Sequence, residues 1–138
     1  MRCRKTKLKD QNIRRVVVTG IGIVSSIGNN TEEVSESLLK GKSGITRNED
    51  MASHGFRSQI AGNIKLDVSE YIDKRTLRFM GLGAAYSHIA MEQAIMDAGL
   101  KEEEVSHTRT GLVAGSGGPS TSAMLAAHQT FLKKSKLI

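Results

Sequence analysis

The sequence has few means of cross-linking or anchoring itself. Its 138 residues include one Cys, one Pro and no Trp. A single Cys excludes an internal disulfide framework, and no Cys/His cluster has the spacing of a metal site. No apolar run approaches the roughly 20 residues that a membrane span requires. The N-terminus is basic but no apolar stretch follows it, so it does not read as a secretory signal. There is no internal repeat and no low-complexity tract. What remains is 38% hydrophobic and 25% charged residues over a length suited to one ordinary domain. These features predict a cytoplasmic, reduced, globular α/β chain with no membrane contact and no bound metal or cofactor.

The net charge of +6 is unevenly placed. Residues 1–15 hold seven cations (Arg2, Arg4, Lys5, Lys7, Lys9, Arg14 and Arg15) against Asp10, and Lys133, Lys134 and Lys136 add three more near the other end. The body between residues 16 and 130 is net −3. The excess positive charge therefore belongs to the two ends, which read as solvated tails. A nucleic-acid role through those ends is the weakest functional reading, because the body carries no basic stripe.

Residues 1–12 are polar and aperiodic and are expected to be a disordered extension. Arg14–Gly20 is a β-branched run stopped by glycine and predicts a buried parallel strand. Asn30 with Glu33 three residues later resembles a capping box, opening a helix with Val34 and Leu38 on one face and Gly41 as its stop. Residues 42–72 read as loop with one short strand near 58–64. Asp73 is expected to cap the longest helix, running to about Ala98 and closed by Gly99. Gly81 and Gly83 within it either allow close packing or mark a bend. Glu102–Glu104 reads as a solvated connection, and Thr110–Gly115 as a second buried strand. Pro119 suits the first turn of a third helix, with Met124, Leu125, His128, Phe131 and Leu132 on its inner side.

Motifs for nucleotide or nucleophilic chemistry fail on inspection. Gly20-x-Gly22-x-x-Ser25 lacks the third small residue of a dinucleotide fingerprint, and no helix opens there to receive a pyrophosphate. Gly41-Lys42-Ser43 resembles the end of a phosphate-binding loop, but Glu36 occupies the position of its first glycine. Cys3 lies in the N-terminal arm with no neighbour to generate a thiolate. His54 and His107 read as solvated, and His88 and His128 as residues of a partly polar packing face. No Ser sits in a Gly-x-Ser-x-Gly elbow.

Five separated blocks, in order, carry a resemblance. They are Arg15–Asn30, Gly41–Ile45, Asp73–Met80, Ala94–Gly99 and Gly111–Gly118. Together they resemble the N-terminal third of a β-ketoacyl-[acyl carrier protein] synthase of the elongating type, over about residues 13–130. The resemblance implies a thiolase-like fold, of which this chain would form an incomplete first α/β half: two main strands with flanking helices. It further implies a homodimer and the decarboxylative condensation of malonyl carrier protein with an acyl chain held on a Cys. That Cys and two catalytic His fall beyond residue 138 in the family pattern, and Cys3 precedes the first strand and cannot replace them. No catalytic residue is therefore assigned, and the chain is expected to be inactive alone, as a truncated synthase. Residues 131–138 read as a basic tail outside the family pattern.

One site carries over from the resemblance. Basic residues opening the Asp-[Lys/Arg]-[Lys/Arg]-x-x-Arg-Phe segment contact the acidic acyl carrier protein in the family, and here they match Lys74, Arg75 and Arg78. The residues support this independently. Three cations in the first turns of a helix oppose the preference of its dipole for anions, and they repel one another at spacings of three and four. A carboxylate-rich partner would relieve both costs. The glycine loops Gly20–Gly28 and Gly115–Gly118 are expected to serve packing, with Ser116 a lesser candidate for binding. The alternative to a truncated synthase is a non-catalytic decoy that binds carrier protein or an intact synthase through the same cations. An incomplete half would expose sheet edges and apolar faces. The isolated chain is therefore expected to be poorly soluble or molten, and a sharp cooperative melt from a monomeric sample would contradict this.

Overall fold

The computed structural model describes residues 14–135. In order, these form α1 (Thr31–Leu39), β1 (Ile45–Arg47), α2 (Glu49–Ser53), β2 (Ile60–Gly62), a 3-10 turn at Val68–Glu70, α3 (Lys74–Leu77), α4 (Leu82–Asp97), α5 (Glu102–Val105) and α6 (Thr121–Ser135). Residues 1–12 and Cys3 within them lie outside the described range.

Helix ends follow from local chemistry. Asn30 opens α1 by accepting the Glu33 amide at 2.8 Å, and the Glu33 carboxylate reaches back to the Asn29 amide at 2.8 Å. This is the expected box displaced by one residue at its return bond. Gly41, with φ +61°, closes α1. The Lys42 amide donates to the Ser37 carbonyl and the Gly41 amide to the Leu38 carbonyl, the paired bonds of a Schellman ending. Gly99 ends α4 by the same device, with Leu100 donating to Ile95 and Gly99 to Met96.

The segment after residue 19 is held along α4 by an antiparallel side-chain zipper. The Ile21 amide donates to Asp97 Oδ2 at 2.8 Å and the Ile23 amide to Gln93 Oε1 at 3.0 Å. Gln93 Nε2 then donates to the Asn29 carbonyl at 2.7 Å. The spacing explains the fit. Residues 93 and 97 are separated by about 6 Å along a helix, and alternate amides of an extended chain by about 6.7 Å. The approach also requires small residues. A Cβ on Gly22 would stand 1.8 Å from the Ala90 carbonyl oxygen, and one on Gly20 2.3 Å from that of Ala94.

On another face of α4, Ala85 and Ile89 pack with Ile72, and Val24, Leu66, Val68, Leu77 and Met80 close around them. α1 buries Val34 and Ser37, with Ser37 Oγ donating to the Ile27 carbonyl at 2.7 Å; Leu38, expected beside Val34, is exposed. β1 and β2 pair antiparallel in the register Ile45 with Gly62 and Arg47 with Ile60. β2 is the short strand expected within 58–64, whereas its partner β1 and the intervening α2 lie in what reads from sequence as loop.

Several expectations are corrected. The run Arg14–Gly20 is not a buried strand, and Val16 is 92% exposed. Thr110–Gly115 likewise forms no strand, and Val113 is 98% exposed. A parallel strand is stable when paired at its edges and covered on both faces, and among the described residues nothing pairs with either run. The two main strands anticipated are thus replaced by the short β1–β2 pair, in a chain that still mixes helix and strand. The single helix expected from Asp73 to Ala98 is two, broken at Arg78–Gly81, with Gly81 in extended conformation ahead of α4. Gly81 also faces Ser120, whose Cβ would lie 2.8 Å from an added methyl, whereas Gly83 faces open space. Glu102–Glu104 belongs to α5 rather than a connection. α6 starts at Thr121, after Pro119, and Ser120 rather than proline receives its first amides, from Ala123 at 3.4 Å and Met124 at 3.0 Å. Its supposed inner residues Met124, Leu125, His128, Phe131 and Leu132 are all exposed.

The accessible surface, 12847 Å² for a 15.0 kDa chain, is well above the roughly 7000 Å² of a compact monomer of that mass. The 16 residues outside the described range would supply only about 2500 Å² even if fully extended. The chain thus leaves much apolar surface uncovered, and the α4 zipper carries a large share of its order. Replacing Gln93 by Leu removes one acceptor and one donor from part-buried backbone groups, a loss of about 1–3 kcal/mol for each group left unpaired. Hydrogen exchange at the Ile23 amide is expected to accelerate at least tenfold in this variant, while the Ala85 and Ile89 amides within α4 stay protected.

Candidate functional site

Asp73 organises the turn that carries the three candidate cations. Its carboxylate accepts from the amides of Arg75 at 2.8 Å and Thr76 at 3.1 Å, and from the Thr76 hydroxyl. These bonds, the Thr76 hydroxyl foremost, hold the exposed carboxyl below its ordinary 3.8. Lys74 and Arg75 begin α3, and Arg78 caps its C-terminal end. All three side chains are exposed. Among the described residues, ion pairs join Lys40 and Lys42 to Glu36, Arg47 to Glu49 and His88 to Glu92, and none engages Lys74, Arg75 or Arg78.

The structure brings the three predicted residues together on one turn. α3 is four residues long, so its dipole is small, and its leading amides are already occupied by Asp73. The three side-chain charges have no ion-pair partner among the described residues and repel one another at spacings of three and four residues.

Among the described residues, no other cluster is organised for chemistry. His54 Nδ1 lies 2.8 Å from the Asp50 carbonyl oxygen, and His107 Nδ1 accepts the Arg109 amide at 3.1 Å. His88 pairs with Glu92 at 3.4 Å and His128 is exposed. Ser116 Oγ donates within its own loop to the Gly118 carbonyl at 2.7 Å, and Gly115, Gly117 and Gly118 have open space where a Cβ would stand. The packing expected of the glycine loops is thus seen at Gly20–Gly28 only. An open groove of about 960 Å³ separates the start of α4 from residues 112–120, and a smaller polar pocket of about 260 Å³ is lined by Ser25, Ser26, Asn29 and Ser43. Neither pairs a nucleophile with a base. Among the described residues there is no group of three or more His, Cys, Asp or Glu fit to hold a metal, and no helix long and apolar enough to cross a membrane.

Sequence reasoning overlooked Gln93 and Asp97, whose spacing of four opposite Gly20 and Gly22 was the available signal. It also overlooked Phe79, which is 88% exposed beside Arg78.

Residues 13–136 match the family model described as β-ketoacyl synthase, N-terminal domain. The chain belongs to the β-ketoacyl synthase family. It is 53% identical over 115 residues to 3-oxoacyl-[acyl-carrier-protein] synthase 1 of Haemophilus influenzae, covering 83% of this chain and 28% of that protein. Its identity to the synthase 1 of Escherichia coli K12 is 50% over 109 residues, covering 78% and 27% respectively. Synthase 2 of Vibrio harveyi is 38% identical over 122 residues, 88% of this chain and 29% of that one. The chain thus spans less than a third of the length of these curated relatives.

The Asp73 cap sets a pH dependence for the basic turn. Its value is lowered in the folded chain, so its contribution is complete above the ordinary 3.8 and is lost as pH falls through the lowered value. The amide resonances of Arg75 and Thr76 are expected to titrate together with a midpoint below 3.8, and Asp73→Ala should abolish that transition.

Proposed function

We propose that this chain supplies the N-terminal part of a thiolase-like 3-oxoacyl-[acyl-carrier-protein] synthase, and that its own task is to dock an acidic acyl carrier protein. The observation that carries the reading is the Asp73-capped turn presenting Lys74, Arg75 and Arg78 to solvent without ion-pair partners. Family membership and the carrier protein in the relatives' names support it. In the assembled enzyme, a homodimer of the cytoplasm, malonyl carrier protein would lose carbon dioxide and its carbanion would attack the carbonyl of an acyl thioester on a Cys, forming the carbon–carbon bond as the C–S bond breaks and the Cys thiolate leaves. These 138 residues contain no matching Cys or His pair, so condensation requires groups that they do not supply.

A second reading shares the same surface. The basic turn also suits a non-catalytic decoy that binds carrier protein or a full-length synthase through the same cations. Both readings make the three cations the binding determinant.

The test is the affinity of this chain for purified acyl carrier protein, measured by titration calorimetry at several ionic strengths. Binding is expected to weaken as salt rises past roughly 0.1 M, where the screening length is about 10 Å. Arg75→Glu and Arg78→Glu should each reduce affinity by about tenfold or more at low salt. Absent or salt-insensitive binding would remove the proposal.

A further inference from the structure

We propose that Phe79 is the apolar anchor of this docking surface, so that the acidic partner buries an aromatic ring as well as neutralising three cations. The inference rests on the docking reading above and specifies the chemistry of the partner's contact face: carboxylates around an apolar centre.

The backbone places the ring. After Leu77 the chain continues to turn, with the Phe79 amide donating to the Thr76 carbonyl at 3.0 Å and the Met80 amide to the Leu77 carbonyl at 3.2 Å. Phe79 follows Arg78 directly, at the end of the turn that Lys74 and Arg75 open. Leu77 and Met80 point the other way and pack against Ile72, Ala85 and Ile89. The turn is therefore two-sided, with its aliphatic side chains committed to the core. Phe79 is not needed there and stands 88% exposed next to Arg78.

Energetics give the ring its role. Exposed ion pairs contribute little to affinity and chiefly steer encounter. Durable affinity in protein interfaces concentrates in buried aromatic and Arg side chains ringed by polar contacts, and a turn that exposes Phe79 with Arg75 and Arg78 has that composition. Charge selects the occupant. A second copy seated on this face would set its own Lys74, Arg75 and Arg78 against these three, and a neutral partner would leave their mutual repulsion in place. An acidic protein relieves it while covering the ring.

The experiment uses the full chain and acyl carrier protein as probe, with Phe79→Ala, Phe79→Leu and Arg75→Glu titrated at low and high salt. Phe79→Ala is expected to weaken binding about tenfold at both salt concentrations, with the salt slope unchanged. Phe79→Leu should recover most of the loss. Slow exchange at the Ile23 amide must persist in Phe79→Ala, which shows that the fold is intact. If Phe79→Ala binds as tightly as the parent while Arg75→Glu does not bind, the anchor is overturned and the electrostatic docking stands. If Phe79→Ala loses protection at Ile23, the ring is structural and the anchor is likewise overturned. If the parent itself fails to bind, the docking reading falls and takes this inference with it.

Discussion

Much of this structure depends on a match between two periodicities. A helix offers side chains four residues apart at about 6 Å, and an extended chain offers alternate amides at nearly the same interval. Gln93 and Asp97 use that coincidence to hold Ile21 and Ile23, and Gln93 extends its grip to Asn29. The glycines at 20 and 22 exist in this arrangement for space, since a methyl at either would collide with α4 backbone. By fixing Asn29 the zipper also sets the start of α1, and by occupying one face of α4 it leaves another for Ile72 and the small apolar core.

The same helix positions the functional surface. Leu77 and Met80 anchor the basic turn to the core at Ala85 and Ile89, and the break before Gly81 separates that turn from α4. Had the helix run unbroken from Lys74, the three cations would have become part of one long charged helical face. Interrupted, they are displayed on a short turn held by Asp73, with Phe79 projecting beside them. The chain matches less than a third of its relatives' length.

The residues differ in how openly they declare their structure. Asn30, Gly41 and Gly99 could be read directly, because a cap satisfies backbone groups only a few positions away. Asp73 was legible as a cap for the same reason, although the length of what it caps was not. Lys74, Arg75 and Arg78 were legible through spacing and family resemblance. The exposure of Phe79 was not, since a ring one position later, where Met80 stands, would have met the core. β1 escaped notice because three residues with no alternation carry almost no periodic signal.

By itself, the sequence determined the caps at Asn30, Gly41, Asp73 and Gly99, which family the chain belongs to, and which cations cluster. These depend on groups within one or two turns of each other, or on residue identities alone. Only tertiary structure decided that Val16–Val18 and Leu112–Val113 stay unpaired, that Gly81 interrupts a helix, and that Gly20 and Gly22 lie on α4. A β-branched run states the burial it suits, whereas pairing and cover come from segments far away in sequence. For these two runs, the described residues contain no strand to provide them.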